Sequence, residues 1–302
     1  MEKELCGVIL VNKHKGVTSH DIVFKIRRLF GTKKVGHTGT LDPLATGTLP
    51  VLIGRAAKAA EYLLSENKEY VAELKLGITT DTEDITGKEL SRCDTLPSKE
   101  QFFEKCREFV GNIKQIPPMY SALKVNGEKL VDLARKGIEV ERQSRDITVY
   151  SIEPQVISES DGKYKITVSC SKGTYIRTLC ADIGAALGCG ATMTELCRTK
   201  SGDFKIEDSY TIDELEKMSI EERQDLLKPT ESLFEEAEAV MLPPFYAKLC
   251  RSGCEIYQKK IGTNLKMGAY VRMYDENGFF ALGQVREYEN GSAVKAIKLF
   301  VL

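Results

Sequence analysis

The sequence predicts an α+β fold: a mixed, largely antiparallel sheet with flanking helices, and a small β-rich module at its end. Three observations carry that expectation. Apolar residues recur at helical spacing behind hydroxyl caps, at Thr18 or Ser19 and again at Ser98. Strand-like runs at 147–157 and 163–170 flank an Asp161-Gly162 turn and so form a hairpin. Beyond Pro243-Pro244, β-prone runs at 270–274, 279–285 and 293–302 are separated by the turns Glu276-Asn-Gly278 and Glu289-Asn-Gly291.

Taken in order, residues 7–11 read as a buried strand and 12–16 as a polar turn. A helix over 21–30 follows, with Ile22, Val23, Ile26, Leu29 and Phe30 on one face and Gly31 as its stop. Residues 35–54 hold four glycines and two prolines. Most of that stretch is therefore expected to be loop, ending in a short strand at 51–53 and a helix over 56–64. Residues 70–76 alternate, with Tyr70, Ala72, Leu74 and Leu76 facing one way. Residues 79–87 read as a polar loop, 98–110 as a capped helix, 116–121 as a rigid extended segment, and 128–135 as a short helix. Residues 171–177 turn into a helix that runs through Leu187, and 193–197 read as a strand. The acidic stretch 205–240 reads as helical and exposed.

The chain has 302 residues, 42% hydrophobic and 29% charged, an ordinary balance for a globular protein. The apolar run at 7–11 is too short for a signal core or a membrane span, so a cytoplasmic location is expected. Nine scattered cysteines and three histidines, His14, His20 and His37, form no ligand cluster, and no metal site is expected. Net charge is −1, yet it is unevenly spread. Residues 1–60 hold ten Lys/Arg against four Asp/Glu, and residues 241–302 hold nine against five. Residues 205–240 hold four against twelve. Two basic regions flanking an acidic one suit a phosphate-bearing partner, or are solvated faces of unrelated elements; charge alone does not choose.

Phosphate-cradling and dinucleotide loops are absent, and so is a nucleophile elbow. What remains is Asp42 in a glycine-rich loop. An Asp-Pro pair by itself is a turn. Gly36, Gly39 and Gly47 around it permit a bulky ligand to rest on the backbone, with one carboxylate and a histidine close by.

The stretch GHTGTLDPLATGTLP, from Gly36 to Pro50, resembles the central motif of the TruB family of pseudouridine synthases. Further matches follow in that family's order: Lys68-Glu69-Tyr70, the proline-rich 115–124, Ser171-Lys-Gly-Thr-Tyr-Ile-Arg177, and Gly188-Cys-Gly-Ala191 leading to Leu196. The resemblance covers roughly residues 5–240. It implies a catalytic domain at 1–240, and the weaker match of the tail implies a PUA-like RNA-binding domain at 241–302. The first motif departs from the family's Asp-Lys-Pro pattern, since Asn12-Lys13-His14 stands there; Lys13, Gly16, Thr18 and Ser19 agree.

The resemblance implies an enzyme that turns uridine 55 of the tRNA T arm into pseudouridine without a cofactor. It implies no obligate protein partner, no membrane and a monomer. Asp42 would be the nucleophile and Arg177 the cation that keeps it ionised against burial. Tyr70 would pack on the target base, with its hydroxyl a general base late in the reaction. Tyr175 and Leu196 would wall the pocket, and Lys13 would support the loop from beneath. His37 would fill the space left by the flipped base. Lys25, Arg28, Lys33 and Lys34 would hold the RNA backbone. Two rival readings are a guide-RNA-dependent relative that works in a particle, and an RNA-binding or folding helper without chemistry.

Overall fold

The computed structural model describes residues 5–62 and 67–301. Strand β1 (Gly7–Lys13) opens it, almost wholly buried. Helix α1 (Ser19–Leu29) starts from a capping box: the Thr18 hydroxyl accepts from the Asp21 N–H, and the Asp21 carboxylate accepts from that of Thr18. Ile22, Val23 and Ile26 face the core, and Gly31, at φ +61°, follows the helix end.

Residues 35–54 depart most from expectation. Strands β2 (Val35–His37) and β3 (Thr46–Ile53) fill most of the stretch and leave only 38–45 as loop. Pro50 sits inside β3. Its carbonyl accepts from the Thr38 N–H, just past the end of β2. The N and O of one strand residue point the same way, so the N–H that proline lacks faces the place where β2 has stopped. Pairing with β1 loses nothing. Gly47 marks a close approach: its φ is +104°, and a Cβ there would lie 2.2 Å from the Arg198 carbonyl oxygen. The expected helix over 56–64 is instead a 3-10 turn, Gly54–Ala59. Its last two residues, 63 and 64, lie outside the described residues.

Strand β4 (Lys68–Leu76) alternates as read, with Tyr70, Ala72, Leu74 and Leu76 buried. Nine strands make the main sheet. Its path runs β1, β3, Ala191–Ser201, β4, Lys163–Cys170, Arg145–Ser158 and Gly111–Gln115, with β2 beside β3 and Phe204–Lys205 at the other end of Ala191–Ser201. Every pairing is antiparallel except β3 with Ala191–Ser201. The architecture is the expected mixed, largely antiparallel sheet with helices.

Helix α2 (Lys99–Glu108) starts from a second capping box at Ser98, and α3 (Leu130–Arg135) is a short surface turn. Helix α4 (Ile176–Ala186) buries Ile176, Leu179, Cys180 and Ile183. These pack with the inward faces of α1, α2 and the sheet into one core. Within it the Phe102 and Tyr164 rings lie 4.1 Å apart.

Residues 205–240 are not one exposed helical stretch. Short helices Ile212–Lys217 and Ile220–Asp225 alternate with turns, and Ile212, Leu215, Leu233 and Phe234 are buried. The acidic side chains masked the apolar ones between them. The C-terminal sheet runs Glu238–Met241, Tyr270–Asp275, Gly278–Tyr288, Gly291–Leu299 and Ile256–Tyr257. It takes its first strand from ahead of Pro243-Pro244, and that pair opens a helix, Pro244–Arg251. Val240, Cys250, Val271, Met273, Phe280 and Val294 form its own core. Phe234, Leu282 and Phe300 join Val8, Leu10 and Leu52 in a cluster that fastens the two sheets together. Among the described residues no helix is long and apolar enough to cross a membrane.

Candidate active site

The loop 38–45 is pinned by its own apolar residues and by the chain beneath it. Leu41 and Leu44 are buried. The buried Ser19 hydroxyl accepts from the Leu41 N–H at 2.8 Å and donates to the Leu41 carbonyl at 3.2 Å. The Pro43 carbonyl accepts from the Gly16 N–H at 2.8 Å. Lys13 lies under the same turn, and its ammonium donates to the carbonyls of Val17, His14 and Pro43 at 2.8, 3.1 and 3.5 Å. Burial lowers its pKa to about 8, against the attraction of Asp42 and with the repulsion of Arg198.

Between these pins Asp42 projects with its side chain 36% exposed, so the carboxylate is reachable from outside. The buried Arg177, in the first turn of α4, meets it: Nε lies 2.9 Å from Oδ2, and Nη2 donates to Oδ1 at 3.5 Å. The Nε contact is an ion pair whose N–H is not aligned on the oxygen. The rest of the guanidinium is taken up by protein. Nη1 donates to the Thr82 carbonyl at 2.9 Å, and Nη2 to that of Tyr120 at 2.8 Å. Asp84, also buried, lies 3.5 Å from Nη1 through Oδ2. Burial pushes the Asp42 carboxyl above the ordinary range; Arg177 pulls it down, and Asp84 adds to the rise. The arginine therefore offsets burial without cancelling it.

Asp84 was read from sequence as part of a polar loop. Its Oδ1 accepts from the Thr82 hydroxyl at 3.0 Å and from the Thr86 N–H at 2.9 Å, which frees Oδ2 for Arg177. The pattern Thr82-Glu-Asp84-Ile-Thr86, an Asp between hydroxyl residues, was the available signal. Arg198 is the second residue that sequence reasoning missed. It is 1% exposed, and it donates to the carbonyls of Thr48 at 2.8 Å and Gly39 at 3.2 Å. It sits directly opposite Tyr70 in the sheet.

Tyr70 is buried, and burial pushes its phenol up while Arg198 pulls it down. The charge of Asp42 reaches Tyr70, Tyr175 and Lys13 alike, so one carboxylate is common to all three. Tyr175 is the residue that begins α4, half-buried, its phenol also raised by burial. Leu196 is buried opposite Ala72, and its carbonyl accepts from the Thr46 hydroxyl at 3.3 Å. His37 is half-buried; its Nδ1 accepts from the Gly39 N–H at 3.2 Å, and burial lowers its pKa, which favours a neutral ring. The four backbone-binding candidates lie elsewhere. Lys25 and Arg28 are on α1, half-buried and exposed, while the exposed Lys33 and Lys34 line a shallow groove with Arg55 and Lys58. Among the described residues no group of three His, Cys, Asp or Glu side chains is placed to hold a metal ion.

A partly exposed carboxylate braced by an arginine, with two tyrosines within reach of its charge, is a candidate nucleophile. Comparison with known proteins gives the family. Residues 27–176 match the model of the TruB family pseudouridylate synthase N-terminal domain, and residues 177–235 match the tRNA pseudouridylate synthase B C-terminal domain. The tRNA pseudouridine synthase B of Clostridium tetani is 43% identical over 98% of this chain and 99% of its own length. That of Bacillus pumilus is 49% identical over 71% of each chain. Among solved structures, Cbf5 in a complex with Nop10 and Gar1 superimposes with a TM-score of 0.74 at 29% identity, over 98% of this chain and 85% of that one. An H/ACA particle bound to a substrate RNA containing 2′-deoxyuridine gives 0.72 at 27% identity, with the same coverage. The chain belongs to the TruB family of pseudouridine synthases and is an isomerase of that family.

Proposed function

We propose that this isomerase converts uridine 55, in the T loop of tRNA, to pseudouridine, and that Asp42 is its nucleophile. The observation that carries the reading is the contact between Asp42 and Arg177, made within reach of Tyr70 and Tyr175. The reaction breaks the bond from the ribose to N1 of uracil, turns the base and joins the ribose to C5. N1 gains a proton and C5 loses one. Nothing is oxidised and no group is added, so the scheme calls for no cofactor.

The base must leave its stack to meet Asp42, and the neutral ring of His37 takes the vacated place. Tyr70 supports the base with its ring. Its phenol, kept protonated by burial, gives its own proton toward N1, which must gain one, and takes up the proton that C5 loses; Arg198 is the group that favours that exchange. Lys13 fixes the turn under Asp42. Lys25, Arg28, Lys33 and Lys34 hold phosphates, and residues 241–302 act as a PUA-like module on the same RNA, within the cytoplasm.

The test is to incubate the purified chain with an unmodified tRNA transcript and map pseudouridine. A single new pseudouridine at position 55, without other proteins, is the expected result. Modification only after a guide RNA or partner protein is added would favour the particle-bound kind of enzyme seen in the solved relatives.

A further inference from the structure

The proline-rich segment that follows Gln115 has no role in the scheme so far, yet it grips the active site. Gln115 ends the edge strand Gly111–Gln115, opposite Arg145, and is 2% exposed. Its carboxamide is paired with the main chain of Tyr175 in both directions. Oε1 accepts from the Tyr175 N–H at 2.8 Å, and Nε2 donates to the Tyr175 carbonyl at 3.0 Å. The same Tyr175 carbonyl accepts the first helical hydrogen bond of α4, from the Leu179 N–H at 3.0 Å. Five residues beyond Gln115, the Tyr120 carbonyl takes Nη2 of Arg177. Pro117 and Pro118 stiffen the chain between the two contacts.

The helix has no side-chain hydrogen bond at its N-cap Tyr175, and the paired contact with Gln115 holds the backbone there, where α4 begins. The tyrosine ring and Arg177, two residues on, both depend on that placement.

We propose that Gln115 is a positioning residue of the isomerase, whose carboxamide, acting as a strand-like partner of the Tyr175 backbone, aims Tyr175 and Arg177 at Asp42. The inference rests on the site reading given above. A displacement of about 1 Å in such a group lowers the rate by about 100-fold. Only a side chain that both donates and accepts at this spacing can do the work, and that requirement has a chemical signature.

Glu at 115 has the same shape. Ionised, it accepts from the Tyr175 N–H but sets an oxygen against the Tyr175 carbonyl. Protonated, it donates to that carbonyl and restores both bonds. Burial beside a carbonyl favours the protonated form. The experiment is single-turnover pseudouridine formation at saturating RNA by wild type, Gln115→Glu and Gln115→Leu across pH, with RNA affinity and Tm measured on the same samples. Gln115→Leu should be slower by about 100-fold at every pH, with RNA affinity nearly unchanged. The rate of Gln115→Glu relative to wild type should climb as pH falls.

A ratio for Gln115→Glu that stays flat with pH would overturn the proposal. So would a Gln115→Leu variant that loses Tm and keeps the rate of its folded fraction. If Gln115→Leu does not fold, the ratio for Gln115→Glu decides alone. Asp42→Asn is run alongside: activity in that variant would remove the site reading itself, whereas an inactive Asp42→Asn with a flat ratio removes only the role of Gln115.

Discussion

Arg177 and Arg198 are both buried, both beside the glycine-rich loop, and they do different work. Arg177 is surrounded by charge: two carboxylates, Asp42 and Asp84, and two carbonyls. Among the described residues Arg198 meets no carboxylate; it ties the Thr48 and Gly39 carbonyls together and faces Tyr70. The first opposes the effect of burial on the Asp42 carboxyl, and the second ties the loop to the sheet. A buried guanidinium thus serves as a counter-charge or as a multi-pronged staple according to its partners.

The sharpest break concerns Asp42. Asp42→Asn keeps the turn, since both residues suit it, and removes the negative charge. It is expected to bind tRNA as wild type does and to form no detectable pseudouridine in a single-turnover assay. Near-normal turnover would end the comparison, because Arg177 would then have no charge to govern.

Next come the arginines themselves. Arg177→Ala leaves Asp84 buried and unpaired beside Asp42, a loss of about 3 kcal/mol in a denaturant titration, together with most of the activity. Arg198→Lys keeps a charge but cannot span both carbonyls, so it should lower Tm while leaving the acid limb of the pH–rate profile in place. If Arg198→Lys moves that limb, the division of labour between the two is wrong.

Two smaller effects follow from the pKa shifts. Asp42 is raised, so its ionised form is lost as pH falls through a value above the usual carboxylate range, and activity should fall with it. Asp84→Asn removes a like charge and should carry that limb to lower pH. On the alkaline side, Lys13 loses its proton near pH 8 and with it one of three donors under the loop. A fall in rate centred there should be absent from Lys13→Arg, provided that variant keeps its Tm. The smallest effect on chemistry belongs to Lys33→Ala with Lys34→Ala. Turnover at saturating RNA should hold, and the slope of log affinity against log salt should flatten by roughly 1 to 2. An unchanged slope would take both lysines off the RNA.

Much of the fold was legible because its helices and most strands follow simple periods with visible caps, as at Thr18 and Ser98. The errors share one cause. In 35–54, Gly47 and Pro50 look like breakers, but each occupies a strand position that needs no side chain or no N–H, and only the neighbouring strand reveals this. Asp42 stood out from its glycine-rich loop, its role and Arg177 came from the resemblance, and the geometry brings the two into contact. Asp84 and Arg198 were not named, because a buried charge is defined by partners far away in sequence. Asp84 owes its place to Arg177, and Arg198 owes its place to the carbonyls of residues 39 and 48.

Those long separations bear on how the chain comes into being. Asp42 meets Arg177 across 135 positions, and Thr48 meets Arg198 across 150. On a ribosome that extends the chain at roughly 5–20 residues per second, the loop with its carboxylate emerges many seconds before either arginine. Until then Gly47 lacks the Arg198 backbone it packs against, and Asp42 lacks Arg177. A nascent chain halted short of residue 177 carries Asp42 without either arginine, and loops closed over such distances form late. The order of synthesis therefore keeps this carboxylate idle until its frame is complete.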